Sequence, residues 1–233
     1  MRRKELNERS PLRALEQSIH GGLGRGHVGV VVARHGVGKT AFLIGVALDS
    51  LLRDLKVLHI SLDHSMQRVR SFYDELFQDL AHERELENVW KVRIDVERNR
   101  RIHCFAAHAF SLARLRETLA FMRDHSEFAP DKIVVDGVDF EQIEPSELTE
   151  WKEIAVVANA ELWMSANTTR AAGRSSTGVP NPVAQHEDAV DVILSMAHDG
   201  KRVHVALHKN HDNPAIPELN IALDPTTLLL VTE

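Results

Sequence analysis

The residues with the clearest chemical meaning are Gly36-Val37-Gly38-Lys39-Thr40, two glycines followed by a lysine and a threonine. The apolar run Val30-Val31-Val32 precedes them, and a segment of helical periodicity follows. Glycines let backbone N–H groups turn toward a phosphate chain, and the N-terminus of the next helix adds partial positive charge. In such a loop the lysine reaches the β- and γ-phosphates, and the threonine hydroxyl ligates Mg²⁺. The pattern therefore predicts a phosphate-binding loop that takes ATP with Mg²⁺.

The predicted nucleotide-binding segment begins one strand residue earlier, at Ala33. This alanine stands where the usual pattern has its first glycine, and because alanine is small we expect the loop to keep its shape. A chance Gly-Lys-Thr turn is the alternative, and it is disfavoured because strand, loop and helix are in register. The residues expected to contact the nucleotide are Ala33, Arg34, His35, Gly36, Val37, Gly38, Lys39 and Thr40.

A carboxylate at the end of a second apolar strand is the predicted partner of the loop. In Lys132-Ile133-Val134-Val135-Asp136, three β-branched residues lead to an acid, as expected of the residue that organises Mg²⁺ together with Thr40. A strand that merely ends in a turn-forming Asp-Gly is the alternative, and it is common in isolation. Beside a phosphate-binding loop, the metal-organising role for Asp136 is favoured.

These side chains need a parallel sheet that brings their strand ends together. Ser65 and Ser111 are predicted to cap two amphipathic helices, and Lys39–Leu52 and Ser146–Ala158 to form two more. Because strands and helices alternate, we expect an α/β fold with a mostly parallel central sheet flanked by helices. The last four strands have no helices between them, which predicts an antiparallel C-terminal extension. The predicted strands are Val28–Val32, Lys56–Ser61, Ile102–Ala106, Lys132–Asp136, Glu161–Ser165, Val190–Met196, Arg202–Leu207, Leu219–Leu223 and Leu228–Val231.

The chain shows no internal repeat and no low-complexity linker. We expect an N-terminal extension over residues 1–20 and a single domain over residues 21–233. The segment Thr168–Gln185 is rich in Gly, Ser, Pro and Arg and predicts a long mobile loop. The charged segment His82–Arg101 predicts a solvated helix or insertion, with a subunit contact as its functional alternative.

Composition bounds the class of protein. With 233 residues and a formal net charge of -6, the chain can bury a large core and carries no overall positive field for nucleic acid or anionic membranes. The single cysteine, the absence of a signal-peptide pattern and the absence of a long apolar run predict a cytoplasmic protein without a membrane span. Among the 14 histidines, His204, His208 and His211 share strand spacing. Residues four apart on a strand lie about 13 Å from one another, so we expect surface histidines, with pH-sensitive assembly as the alternative to a metal site.

Several motifs together resemble the RecA-like ATPases of the DnaB and KaiC type. Gly21-Gly22-Leu23 and then Gly26 precede the first strand and the phosphate-binding loop, as in that family. Ile60–Ser65 is similar to the end of strand two in DnaB-type helicases, and Glu187–Leu194 resembles the stretch that opens their C-terminal strands. The resemblance covers residues 21–231 and implies a RecA-like fold. Other nucleotide-binding classes are disfavoured, because the chain has no guanine-reading Asn-Lys-x-Asp and no Leu-Ser-Gly-Gly-Gln.

The resemblance implies roles for further residues. Asp63 stands where the family has the catalytic glutamate that positions and deprotonates the attacking water, and it is shorter by one methylene. Ser165 or Asn167 stands where the family has a polar sensor. The Lys-x-Arg pair that family members project into the next subunit's ATP site matches Lys209-Asn210-His211, in which a histidine replaces the permanently charged arginine. With Lys39 and Asp136 these are the candidate catalytic residues, and their departures from the family pattern predict slow hydrolysis.

The resemblance also implies a homo-oligomer, a ring or a filament, because the family's ATP sites lie between subunits. The segment Asp139–Glu147, where such motors hold single-stranded DNA, has no lysine or arginine, so a protein partner is favoured over DNA. Arg170 and Arg174 could contact phosphate or a neighbouring subunit's ATP. We expect slow, assembly-dependent ATP hydrolysis. The alternatives are a DNA-associated motor or repair accessory, and a nucleotide-gated scaffold. With about 20 residues before Gly21, we do not expect a complete helicase.

Overall fold

The computed structural model describes residues 1–19, 21–106 and 109–232. Within them, nine strands form one sheet in the order β3-β2-β4-β5-β1-β6-β7-β8-β9. All nine predicted strands are present, with shifted ends. They are β1 (Val28–Arg34), β2 (Val57–Ser61), β3 (Arg100–Cys104), β4 (Lys132–Val138), β5 (Glu161–Thr168), β6 (Val192–His198), β7 (Val203–Asn210), β8 (Ile221–Leu223) and β9 (Leu230–Thr232).

The direction of the strands matches the predicted fold class. Strands β1 to β6 pair in parallel, and β7, β8 and β9 are added antiparallel to β6 and to each other. The largest shift at a strand start is in β3, which begins two residues before the predicted Ile102. Arg100 pairs with Val57 of β2, and it is buried with its guanidinium 4.4 Å from the ring centroid of Tyr73. An arginine that packs on an aromatic face gives no apolar signal in the sequence.

Seven helices of the described residues cover the sheet. Ser65 and Ser111 cap α4 and α6 as expected, because their hydroxyls accept from the backbone N–H groups of Arg68 and Arg114 at 3.3 and 3.2 Å. The helices are α1 (Arg3–Glu8), α2 (Leu12–Ser18), α3 (Lys39–Leu51), α4 (Met66–Glu83), α5 (Val89–Asn99), α6 (Leu112–Ser126) and α7 (Pro145–Ala158), with a short 3-10 helix at Val183–Ala189.

Two apolar layers enclose the sheet, one on each face. Helices α1 to α5 contribute to one layer and α6 and α7 to the other, so the strands between them are buried on both faces. The N-terminal helices are part of the first layer, because Leu6, Leu12, Leu15 and Ile19 are buried there. No helix of the described ranges is long and apolar enough to span a membrane.

Two segments differ from their predicted form. Of the predicted loop Thr168–Gln185, the first residue belongs to β5 and the last three to the 3-10 helix. The part between them folds back on itself, since Arg174 and Pro180 form an isolated bridge and the Thr168 hydroxyl donates to the Asn181 carbonyl at 2.5 Å. The segment His82–Arg101 contains α5, which is confirmed as a helix, although its residues Val92 and Val96 pack into the core.

Candidate nucleotide-binding site

The parallel strands bring the predicted site residues to one edge of the sheet. Strands β2, β4, β5 and β1 are neighbours in that order, and all of them end at this edge. Ser61 of β2 is level with Asp136 of β4, and Val31 and Ala33 of β1 are level with Ser165 and Asn167 of β5. The carboxyl edge of an open parallel sheet is where ligands bind in this class of fold.

The phosphate-binding loop joins β1 to α3 with the expected backbone. Gly36 and Gly38 have φ angles of +79° and +112°, a region that L side chains rarely adopt. Gly38 is the N-cap of α3, so the first turn of this helix presents its free backbone N–H groups to the loop. His35 and Gly36 at the tip are exposed. The loop is therefore open to solvent and has the polarity that an anion requires.

Lys39 lies inside the loop rather than in solvent. The residue is 9% exposed, and its ammonium donates to the carbonyls of Ala33 and Arg34 at 3.3 and 3.2 Å. Burial lowers the pKa of Lys39, and the carboxylates of Asp136 and Asp63 oppose that shift. The buried ammonium thus has neutral acceptors and no direct counter-ion among the described residues, a state that an anionic ligand would improve.

Asp136 is held by two hydroxyl groups. Its Oδ2 accepts from the Thr40 hydroxyl at 2.6 Å, and its Oδ1 accepts from the Ser165 hydroxyl at 2.6 Å. The Ser165 oxygen in turn accepts from the backbone N–H of Gly137 at 2.9 Å. Ser165 therefore orients Asp136, whereas Asn167, the other candidate sensor, is exposed at the end of β5.

Asp63 follows β2 and lies against the backbone just after Asp136. An atom built as Cβ on Gly137 would be 2.7 Å from the Asp63 carboxyl carbon, and Gly137 has a φ angle of +89°. Only glycine fits this position. The neighbour of Asp63, His64, brings a ring nitrogen within 4.8 Å of carboxylate oxygens of Asp63 and Asp136. Neither His64 nor Gly137 was predicted from the sequence, although both directly follow a predicted residue.

The electrostatics of Asp63 fit a proton acceptor near a metal. Partial burial, and then the neighbouring Asp136 carboxylate, raise the pKa of Asp63. The oxygens of Thr40, Asp136 and Asp63 form a donor set that suits Mg²⁺, which binds through one or two carboxylates together with phosphate oxygens and water. The repulsion between the two carboxylates is the kind of strain that a cation relieves.

The four residues expected to act on another subunit lie in two places. Lys209 and His211 lie near the start of β1, since the rings of His211 and His27 are 5.0 Å apart and Lys209 pairs with the second residue of β6. The phosphate-binding loop is at the other end of the seven-residue β1, roughly 20 Å away. Arg170 and Arg174 follow β5 and are exposed, and Arg174 donates to the Gly178 carbonyl at 2.8 Å.

The acidic segment Asp139–Glu147 also lies beyond the carboxyl edge of the sheet. Phe140 and Ile143 fix it by packing into the core, while Asp139 and Glu141 are exposed. These exposed carboxylates follow β4 directly, where a nucleic-acid-binding loop would need cations.

A buried histidine behind the site predicts a pH-dependent stability. His59 of β2 shares a 3.1 Å hydrogen bond with the Tyr73 hydroxyl, and burial, its largest cause, lowers the pKa of His59 from 6.5 to about 4. The unfolded chain takes up this proton below pH 6.5 and the folded chain does not, so stability should fall by about 3 kcal/mol as pH falls from 6.5 to 4. Urea unfolding at several pH values measures this. His59→Gln should flatten the slope, and an unchanged slope in that variant would contradict the assignment.

Comparison with solved structures identifies the architecture. The chain is similar to a solved structure described as an ATPase domain, that of a DnaB-like helicase with the RecA fold. The TM-score is 0.70 and the sequence identity 16%, over 96% of this chain and 90% of that chain. The fold is RecA-like. No protein-family model and no curated protein sequence matches the chain. The RecA-like sheet and its phosphate-binding edge therefore agree with the expected fold, while the identity is too low to carry over an activity.

Proposed function

We propose that this chain binds ATP with Mg²⁺ and hydrolyses it slowly, in a way that depends on assembly. The observation that carries the proposal is the convergence of Lys39, Thr40 and Asp136 at the end of β1, with the Thr40 and Asp136 oxygens 2.6 Å apart. The nucleotide state would in turn control oligomer assembly or the binding of a protein partner. We assign the ATPase domain to residues 21–233, with residues 1–20 as an extension, and we expect the protein in the cytoplasm.

The proposed binding step uses the loop and the first turn of α3. Backbone N–H groups of residues 33–40 surround the phosphates, and the Lys39 ammonium exchanges its carbonyl acceptors for β- and γ-phosphate oxygens. Thr40 and Asp136 hold Mg²⁺, and Ser165 keeps the Asp136 carboxylate in position. The ion, when bound, neutralises charge on the phosphate oxygens.

The proposed hydrolysis step is slow for two physical reasons. Asp63 would accept the proton of the attacking water, but its short side chain lies against Gly137 and extends less far than a glutamate. Lys209 and His211 are too far from the loop of their own chain to contact its γ-phosphate, so they act only on another copy. An imidazole there lacks the permanent charge and the bidentate geometry of an arginine.

A DNA-associated motor or repair accessory is the second candidate function. The exposed Arg170 and Arg174 favour it, because they follow β5 at the nucleotide edge of the sheet. The acidic segment Asp139–Glu147 opposes it. A nucleotide-gated scaffold with little hydrolysis is the third, and it follows if His211 stabilises no transition state.

Turnover measured against protein concentration distinguishes these functions. We expect the rate per chain to be low in dilute protein and to rise at least several-fold as the protein assembles, since the site is completed by another copy. Single-stranded DNA should leave the rate unchanged. Fast turnover by a monomer would contradict the proposal, stimulation by DNA would favour the motor, and tight ATP binding without turnover at any concentration would favour the scaffold.

A further inference from the structure

Two imidazoles and a carboxylate meet at the sheet edge opposite the nucleotide site. His27 precedes β1, Asp191 precedes β6, and His211 follows β7, so the topology brings three distant segments together. Each offers a ligand atom, and these atoms lie within 4.8 Å of one another. The rings of His27 and His211 are nearly perpendicular, with centroids 5.0 Å apart. No short spacing motif links these positions, so the cluster is a product of the fold.

Main-chain hydrogen bonds hold all three residues in place. The N–H of His211 donates to the Asp191 carbonyl at 2.6 Å, and the N–H of Asp191 donates to the Val28 carbonyl at 2.8 Å. The His27 carbonyl accepts from the N–H of Leu162 at 3.1 Å. The ligand-bearing backbone is therefore fixed before any ligand arrives, which is the condition for a pre-organised site.

The side chains are arranged for a shared ligand. The N–H of Val28 donates to Asp191 Oδ2 at 2.8 Å and so turns Oδ1 toward His27. Nδ1 of His27 is 3.2 Å from that oxygen, in a buried position, and forms no hydrogen bond of acceptable geometry within the described part of the chain. A buried ring nitrogen aimed at a carboxylate oxygen without a hydrogen bond is an unused donor site.

We propose that His27, Asp191 and His211 form a site for a divalent transition metal, with Zn²⁺ as the best match. Two imidazole nitrogens and one carboxylate oxygen are the protein ligands of an open tetrahedral zinc site, completed by water. Mg²⁺ and Ca²⁺ would require oxygen ligands that the cluster does not offer. Bonds of about 2.0–2.1 Å place tetrahedral ligands about 3.4 Å apart, so closure needs side-chain shifts of about 1 Å.

Lys152 is the built-in competitor of the metal. Its ammonium lies 2.7 Å from Asp191 Oδ1 and balances the carboxylate while the site is empty. The Lys152 side chain is 40% exposed, so it can swing into solvent when a cation binds. Metal binding therefore loses one ion pair of modest strength. Replacing Lys152 with a neutral residue frees a carboxylate oxygen and removes a charge that repels the cation, so it should strengthen metal binding.

The site would fasten β1, β6 and β7 together at the edge remote from the nucleotide. It needs neither ATP nor assembly, and it does not rest on the proposed function. It also gives His211 a role within its own chain, in place of the contact with another subunit that the resemblance implies.

Calorimetric titration of the nucleotide-free protein with Zn²⁺ tests the site, with Co²⁺ absorption as a report of tetrahedral coordination. We expect one tight equivalent in the wild type. His27→Ala and His211→Ala should each weaken binding at least about 100-fold, since each removes a direct ligand. Lys152→Met should tighten binding about 10-fold, a gain that a folding defect cannot produce.

Three other histidines serve as controls. His125→Ala and His198→Ala remove exposed imidazoles elsewhere and should leave the tight equivalent intact. His64→Ala tests whether the metal goes instead to the cluster of Asp63, His64 and Asp136. The proposal is overturned if no tight equivalent binds, if binding persists in both His27→Ala and His211→Ala, or if only His64→Ala abolishes it.

Discussion

Lys39→Ala should weaken ATP binding at least about 100-fold and abolish measurable turnover. The lysine ammonium is buried within the loop and already lies against the loop carbonyls. A hydrogen bond from a charged donor contributes about 1.5–3 kcal/mol, and Lys39 would supply more than one to the phosphates. Equilibrium titration with a fluorescent ATP analogue measures the loss.

A matched control separates charge at the loop from charge in general. Lys91→Ala removes an exposed lysine of α5 and should leave ATP affinity unchanged. Folding is checked by the urea midpoint of each variant. If Lys39→Ala is folded and binds ATP as the wild type does, the nucleotide is not held by this loop.

Asp136→Asn should remove the dependence of ATP binding on Mg²⁺ and lower turnover at least about 100-fold. The substitution keeps the shape of a side chain that Thr40 and Ser165 contact at 2.6 Å, but it removes the charge that holds the cation. ATP affinity measured with Mg²⁺ and with a chelator should differ strongly in the wild type and little in this variant.

Ser165→Ala is the graded comparison for Asp136. It keeps the carboxylate and removes one of the two hydroxyls that hold it, so turnover should fall about 10-fold, with Mg²⁺ dependence retained. If Asp136→Asn kept the full Mg²⁺ dependence, the metal would have to be organised elsewhere, and the assignment of Asp136 would be wrong.

The sequence was enough to predict the fold class and the core of the nucleotide site. Buried parallel strands are continuous apolar runs, and an acid or a glycine at the end of such a run is a sharp local signal. That is why Asp136 and residues 33–40 were placed at strand ends, and the structure brings them to one edge. Register decides the rest, and it follows from the apolar pattern of β1, β2, β4 and β5.

What the sequence did not predict depends on contacts between distant segments. The closeness of Asp63 to Gly137 follows from a backbone with positive φ that no local pattern requires. His27, Asp191 and His211 are brought together only by the order of strands in the sheet. The early start of β3 likewise depends on Arg100 packing against Tyr73. Such pairings carry no periodicity along the chain.

The most direct test of the central claim is a calorimetric titration of the wild-type protein with ATP, in the presence and absence of Mg²⁺. The proposed site predicts saturable binding of one ATP per chain with Mg²⁺. Binding should be much weaker when Mg²⁺ is chelated, because the Asp136 carboxylate then repels the phosphates with no cation between them. Absence of saturable binding under both conditions would contradict the claim that this edge of the sheet is an ATP site.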